Sequence, residues 1–221
     1  MHLWGSVQMI DKSEIERNVT AGTGLIDHYL YRKIVVWLIS KFHLDINPNF
    51  ITSLSLLYSL FCSYLIVSGH PLIGAILYMF FNVLDLLDGA IARVYNRKSL
   101  VGAFFDGLVD VLSEIVVLYS IGIYFDKKIQ FLYLIVFILL AHYIYIRTKW
   151  IIGTKERQKN MFDYWGSPML LILLSTRNDT RKILILAGIL FNAPHFILLY
   201  FAYIYVLSTV SSIMALGEGK T

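Results

Sequence analysis

Between residues 50 and 216 the chain returns repeatedly to runs of about twenty residues with almost no charge, and this repetition constrains its fold more than any other feature. A helix needs about 20 apolar residues to cross a hydrocarbon core of about 30 Å, and lipid offers no partner to an unpaired backbone group. The expectation is an all-α, polytopic membrane protein. Its composition agrees: 57% hydrophobic and only 15% charged residues, with a mean hydropathy of +0.66, exclude an ordinary soluble domain of 221 residues. The first twenty residues carry Asp11, Glu14 and Glu16 where a secretory signal needs its apolar core, so no cleaved signal is expected. The single cysteine, Cys62, sits in an apolar run and can form no intrachain disulfide. A pI near 9.0 and a net charge of +4 fit cytoplasmic loops and anionic headgroups, and no nucleic-acid partner is expected.

Six transmembrane helices and an N-terminal interfacial helix follow from the pattern. Residues 24–44 mix apolar side chains with His28, Arg32, Lys33 and Lys41, the pattern of an amphipathic helix lying in the interface. Asn47-Pro48-Asn49 starts the first span, 50–67, and the second covers 72–94. The third and fourth run over 102–125 and 129–148. A basic loop at 149–160 leads to a short fifth span at 161–176 and a polar turn at 177–182. Residues 183–192 are too short to cross and are assigned to the interface, and 194–216 form the sixth span. One membrane domain accounts for 1–221, with the bundle over 49–216. Six crossings put both termini on one side, and Arg17, Arg32, Lys33 and Lys41 make that side cytoplasmic in a cell membrane.

Asp85, Asp88, Arg93, Asp106 and Asp110 lie in or beside these runs, where each ionised carboxylate costs about 2.5–3.5 kcal/mol to insert. Asp85 and Asp88 are three residues apart and Asp106 and Asp110 four, so each pair shares a helix face. The short connection makes the second and third spans antiparallel neighbours whose acidic faces meet near their cytoplasmic ends. Arg93 alone cannot neutralise four acids. Oxygen ligands without histidine or cysteine suit Mg²⁺ or Mn²⁺, and two such ions match the charge.

From Asp85 the sequence reads D-L-L-D-G-A-I-A-R, eight intervening residues, then G-A-F-F-D-G-L-V-D. It fits D-x-x-D-G-x-x-A-R-x(8)-G-x-x-x-D-x-x-x-D at every fixed position, a chance match on the order of 10⁻¹⁰ at one starting point. The chain thereby resembles the CDP-alcohol phosphotransferases, and the resemblance extends to Pro48-Asn49-x-x-Thr52 at the opening of the first span. It implies an enzyme of phospholipid biosynthesis that joins a CDP-activated lipid to a small alcohol and releases CMP, and a homodimer is expected. It implies further that Asp85, Asp88 and Asp106 are metal ligands and Asp110 a further ligand or the general base. Gly89 and Ala92 would let the nucleotide approach, Arg93 would hold a phosphate or a carboxylate, and Gly102 would let the third span start close to the CDP.

Glu114, one turn beyond Asp110, is read as a packing or supporting residue, and His142 and His195 as core or interface histidines. Two readings stand for Arg147, Lys149, Lys155 and Arg157: ordinary positive-inside charge, or an anion pocket for a phosphorylated acceptor. The chain has Asp110-Val111 where some members of that family have Asp-Arg, so the subfamily stays open. Two other functions compete. Asn82-x-x-Asp85-x-x-Asp88 resembles the first acidic motif of UbiA-like prenyltransferases, although the spacing differs and six spans are too few. A cation transporter could use intramembrane acids, but such sites lie near the midplane on broken helices.

Overall fold

The computed structural model describes residues 12–19, 27–152 and 178–218. Its regular elements are all helical, with no strand among the described residues. In chain order they are α1 (Lys12–Asn18), α2 (Arg32–Phe42) entered through a π-helical turn at Asp27–Tyr31, α3 (Pro48–Val67), α4 (Pro71–Met79), α5 (Phe81–Val94), α6 (Leu100–Tyr124), α7 (Lys128–Ile152), α8 (Asn178–Leu190) and α9 (Pro194–Glu218).

Local chemistry sets most boundaries. Asn47 caps α3 by accepting from the Asn49 amide at 3.0 Å, with Pro48 at the first helical position. Ser99 caps α6 by accepting from the Gly102 amide at 2.9 Å. His43, Asn96, Asp126 and Asn192 take positive φ just after helices, the left-handed conformation that Asn, Asp and His tolerate better than most residues.

Two apolar cores hold the described helices together. The larger joins Cys62 and Ile66 of α3, Tyr78 of α4, Leu118 and Ile121 of α6, Phe131 and Ile138 of α7, Ile185 of α8 and Phe201 of α9. The smaller packs Ile15 of α1 and Val35, Val36 and Ile39 of α2 against Leu86, Leu87, Ala90 and Ile91 of α5. The outside is also apolar. Leu57 and Tyr64 on α3, Tyr133 and Leu140 on α7, and Leu199 on α9 are each more than half exposed. Apolar side chains turned outward along several long helices suit a hydrocarbon solvent rather than water. Among the described residues, two stretches are long and apolar enough to cross a membrane: α3, with 20 residues, and α4 with α5, 24 residues over Pro71–Val94.

The structure revises several sequence expectations. The second span breaks at Phe80, where the backbone tightens so that the Phe80 amide donates to Leu77 O at 2.8 Å and the Val83 amide to Phe80 O at 3.0 Å. α7 continues to Ile152, so Lys149, expected to open the basic loop, stands on the same helix as Arg147. The expected polar turn at 177–182 is helical from Asn178 onward. The piece assigned to the interface, 183–192, belongs mainly to α8, which packs on α4 and α9 with Ile185 and Ile189 in the core. Its polar start is tolerated because Arg181 and Lys182 have partners inside the bundle. α1 has no counterpart in the sequence expectations. The expected fifth span at 161–176 lies outside the described residues.

Candidate active site

α3 forms the floor of the site. It packs along both α5 and α6, whereas those two helices share little close backbone contact. α5 and α6 nonetheless bring their carboxylates together, with α3 packed against both. The gap that results is a cleft of about 550 Å³ lined by residues of α3, α5 and α6.

The carboxylates converge across it. Asp85, Asp88 and Asp106 each place an oxygen within 4.8 Å of the other two. Spacing by three residues turns Asp85 and Asp88 to one face of α5, and Asp106 meets them from α6. Asp88 is buried, and Thr52 of α3 donates to its Oδ2 at 2.6 Å. Asp110 lies one turn deeper on α6, within hydrogen-bonding reach of Asp85 rather than in the tight group of three. This donor set of carboxylate oxygens fits a hard divalent cation.

The rest of the cleft lining suits an anion. The first turns of α3 and α6 both open onto it, at Asn49 and Gly102, and helix N-termini favour negative charge. A Cβ on Gly102 would stand 2.9 Å from Ser99 Oγ and 3.2 Å from Asn49 Oδ1, so glycine lets the two helix starts approach. Arg93, Arg97 and Lys98 also line the cleft. Arg97 also forms an ion pair with Asp45 at 2.7 Å, about half exposed on both partners. Arg93 Nε donates to Asn18 O at 2.7 Å, tying α1 to the rim of the cleft. A Cβ on Gly89 would lie 3.2 Å from an Arg93 terminal nitrogen, so Gly89 makes room for that guanidinium. Ala92 lines the cleft one turn from Asp88.

Asp85, Asp88, Gly89, Ala92, Arg93, Gly102 and Asp106 are therefore brought to one place, with Asp110 beside them. Arg147 and Lys149 lie near the end of α7, where only the backbone is described, and Lys155 and Arg157 lie outside the described residues.

Sequence reasoning missed the polar layer beneath the acids. Glu114 accepts from Arg181 at 3.0 Å and from the Tyr205 hydroxyl at 2.8 Å, a buried knot joining α6, α8 and α9. Lys182 Nζ contacts Asn82 Oδ1. The i, i+4, i+8 line of Asp106, Asp110 and Glu114 marked one side of this layer in the sequence. Nothing local marked the partners on α8.

A family model, CDP-alcohol phosphatidyltransferase, matches residues 45–217. The chain belongs to that family. Membership sets aside the prenyltransferase and transporter readings. The chain is 25% identical over 188 residues to a bifunctional IPC transferase and DIPP synthase of Archaeoglobus fulgidus, covering 84% of this chain and 36% of that protein. It is 34% identical over 80 residues to an archaetidylinositol phosphate synthase of Pyrococcus horikoshii, covering 36% of this chain and 43% of that one. The matches thus span less than half the length of these relatives. Its fold is shared with the phosphatidylinositol phosphate synthase of Mycobacterium tuberculosis, crystallised with manganese and citrate, at a TM-score of 0.59 and 20% identity over 87% of this chain and 90% of that chain. The same enzyme has been crystallised with CDP-DAG bound, and that structure matches at a TM-score of 0.58.

Proposed function

We propose that this chain transfers the phosphatidyl-type lipid phosphate, diacyl or archaeal ether, from a CDP-activated lipid to a small phosphorylated alcohol and releases CMP in phospholipid biosynthesis. The observation that carries the reading is the convergence of Asp85, Asp88 and Asp106 at a cleft that is also lined by two helix starts and by Arg93, Arg97 and Lys98. A metal-bound diphosphate suits such a mixture of carboxylates, helix starts and basic side chains.

Asp85, Asp88 and Asp106 would hold Mg²⁺ or Mn²⁺, which when bound offsets the charge of the diphosphate and of the departing CMP. Arg93 and the amides at the starts of α3 and α6 orient the phosphates. Thr52 fixes the Asp88 carboxylate through its 2.6 Å hydrogen bond. Asp110 accepts the proton of the acceptor hydroxyl as its oxygen attacks the lipid-side phosphorus. The new phosphorus–oxygen bond forms as the bond to CMP breaks, and no covalent enzyme intermediate is required. Gly89 and Ala92 keep the α5 backbone approachable for the nucleotide.

The acceptor would carry a phosphate recognised by Arg147, Lys149, Lys155 and Arg157. Support comes from the basic run itself and from relatives whose names carry an inositol phosphate. In this reading the chain is one membrane domain of six spans, with 24–44 at the interface and the cleft and both termini facing the cytoplasm. Tyr29, Trp37 and Phe42, all exposed along the 27–42 segment, support an interfacial position for it. A homodimer belongs to the same reading. A panel of CDP-lipids offered with glycerol 3-phosphate, inositol phosphate, inositol and serine, scored by CMP release, tests it. Turnover confined to unphosphorylated acceptors would refute the acceptor assignment, and no release with any pair would refute the transfer.

A further inference from the structure

α1 precedes residues 45–217, which the family model matches, yet it reaches the rim of the cleft. Ile15 and Val19, 2% and 0% exposed, pack with Ala90 and Ile91 of α5 in the smaller core. That docking turns the end of α1 toward two arginines. The last carbonyls of a helix have no partner inside it. Here Glu16 O accepts from Arg32 Nη2 at 2.7 Å, and Asn18 O accepts from Arg93 Nε at 2.7 Å across 75 residues of chain. The terminal nitrogens of Arg93 lie 3.2 and 3.6 Å from where a Cβ on Gly89 would stand, so the guanidinium folds back over the preceding turn of α5, beside Asp88 in the cleft lining. A guanidinium carries its five donors in one rigid plane. The bond at Nε sets that plane and turns the terminal N–H groups to the cleft.

We propose that α1 is a positioning element for diphosphate binding: through the Asn18 carbonyl it holds Arg93 so that the terminal nitrogens meet the phosphates of the CDP-lipid. The inference rests on the proposed function, which gives Arg93 its phosphate. The contribution of α1 is a main-chain carbonyl, so it depends on the docking of Ile15 and Val19 rather than on the side chain at position 18. Without α1, Arg93 keeps its charge and loses its aim.

Isothermal titration of the purified full chain with Mn²⁺, and then with CDP at saturating Mn²⁺, tests it. Ile15→Asp/Val19→Asp undocks α1 without altering a cleft residue. It is expected to bind CDP about ten-fold more weakly, equivalent to about 1.4 kcal/mol, and to bind Mn²⁺ as the wild type does. The milder Ile15→Ala/Val19→Ala should fall between the two. In an Arg93→Met background, which leaves the Asn18 carbonyl no guanidinium to hold, the same undocking should weaken CDP binding by less than about two-fold, because both changes act through one contact. An equal loss with and without Arg93, or unchanged CDP affinity in Ile15→Asp/Val19→Asp, would overturn the proposal. Loss of Mn²⁺ binding in both α1 variants would overturn it too, since α1 would then support the whole bundle and not the arginine. Wild-type CDP affinity in Arg93→Met alone would instead defeat the phosphate role of Arg93 on which the inference stands.

Discussion

Thr52→Val removes one hydroxyl from the floor of the cleft and nearly preserves the side chain's shape. Thr52 and Asp88 are each only 3% exposed, so water cannot readily replace the lost donor. The bond removed is short, at 2.6 Å, and its acceptor is a carboxylate. Hydrogen bonds to charged groups contribute about 1.5–3 kcal/mol, and groups that orient a metal-binding carboxylate commonly change metal affinity by about 10–100-fold. The variant is therefore expected to bind Mn²⁺ about ten-fold or more weakly, with a matching rise in the Mg²⁺ concentration needed for half-maximal CMP release. Thr52→Ser keeps the donor and should recover most of that loss. Isothermal titration with Mn²⁺ on both variants gives the comparison. If Thr52→Val binds Mn²⁺ as tightly as wild type while folding normally, Asp88 is not held by Thr52 for metal binding, and the floor assigned to α3 is wrong.

Three further outcomes follow from the same geometry. Asp110→Asn should keep most Mn²⁺ affinity and lose turnover, because an amide cannot accept the acceptor's proton, whereas Asp85→Asn and Asp106→Asn should weaken Mn²⁺ binding itself; equal effects of all three on metal affinity would abolish the distinction between base and ligands. Arg147→Ala or Arg157→Ala should raise the acceptor KM about ten-fold or more and leave the CDP-lipid KM nearly unchanged, as steady-state kinetics would show. Arg181→Met should cost about 3–5 kcal/mol by stranding Glu114, and Arg181→Met/Glu114→Leu should recover most of it; thermal unfolding in detergent that finds the single variant as stable as wild type would remove the knot from the account.

What the sequence revealed and what it hid divide along chain separation. Asp85 with Asp88, and Asp106 with Asp110, share faces because helical periodicity acts within four residues, so the acid cluster could be read locally. The caps at Asn47 and Ser99 are equally local. Lys182 meets Asn82 across 100 residues and Arg181 meets Glu114 across 67. Without those partners in view, a run containing Arg181 and Lys182 has the composition of a turn. The insertion of α3 against both α5 and α6 was hidden for a related reason: a short loop brings two helices near one another but does not say which third helix packs against them. The break at Phe80 had no proline or glycine to announce it.

Transfer from a CDP-lipid at a carboxylate-held metal site leaves two products that can be followed. The most direct measurement follows CMP and the lipid-linked acceptor together, by chromatography and ³¹P nuclear magnetic resonance, using purified protein with Mg²⁺, a CDP-lipid and a phosphorylated alcohol. One CMP is expected for each new phosphodiester, with loss of both products in excess EDTA and in Asp106→Asn, and recovery of the wild-type enzyme on adding Mg²⁺ or Mn²⁺. Full turnover in EDTA, or CMP released without a lipid-linked acceptor, would contradict it.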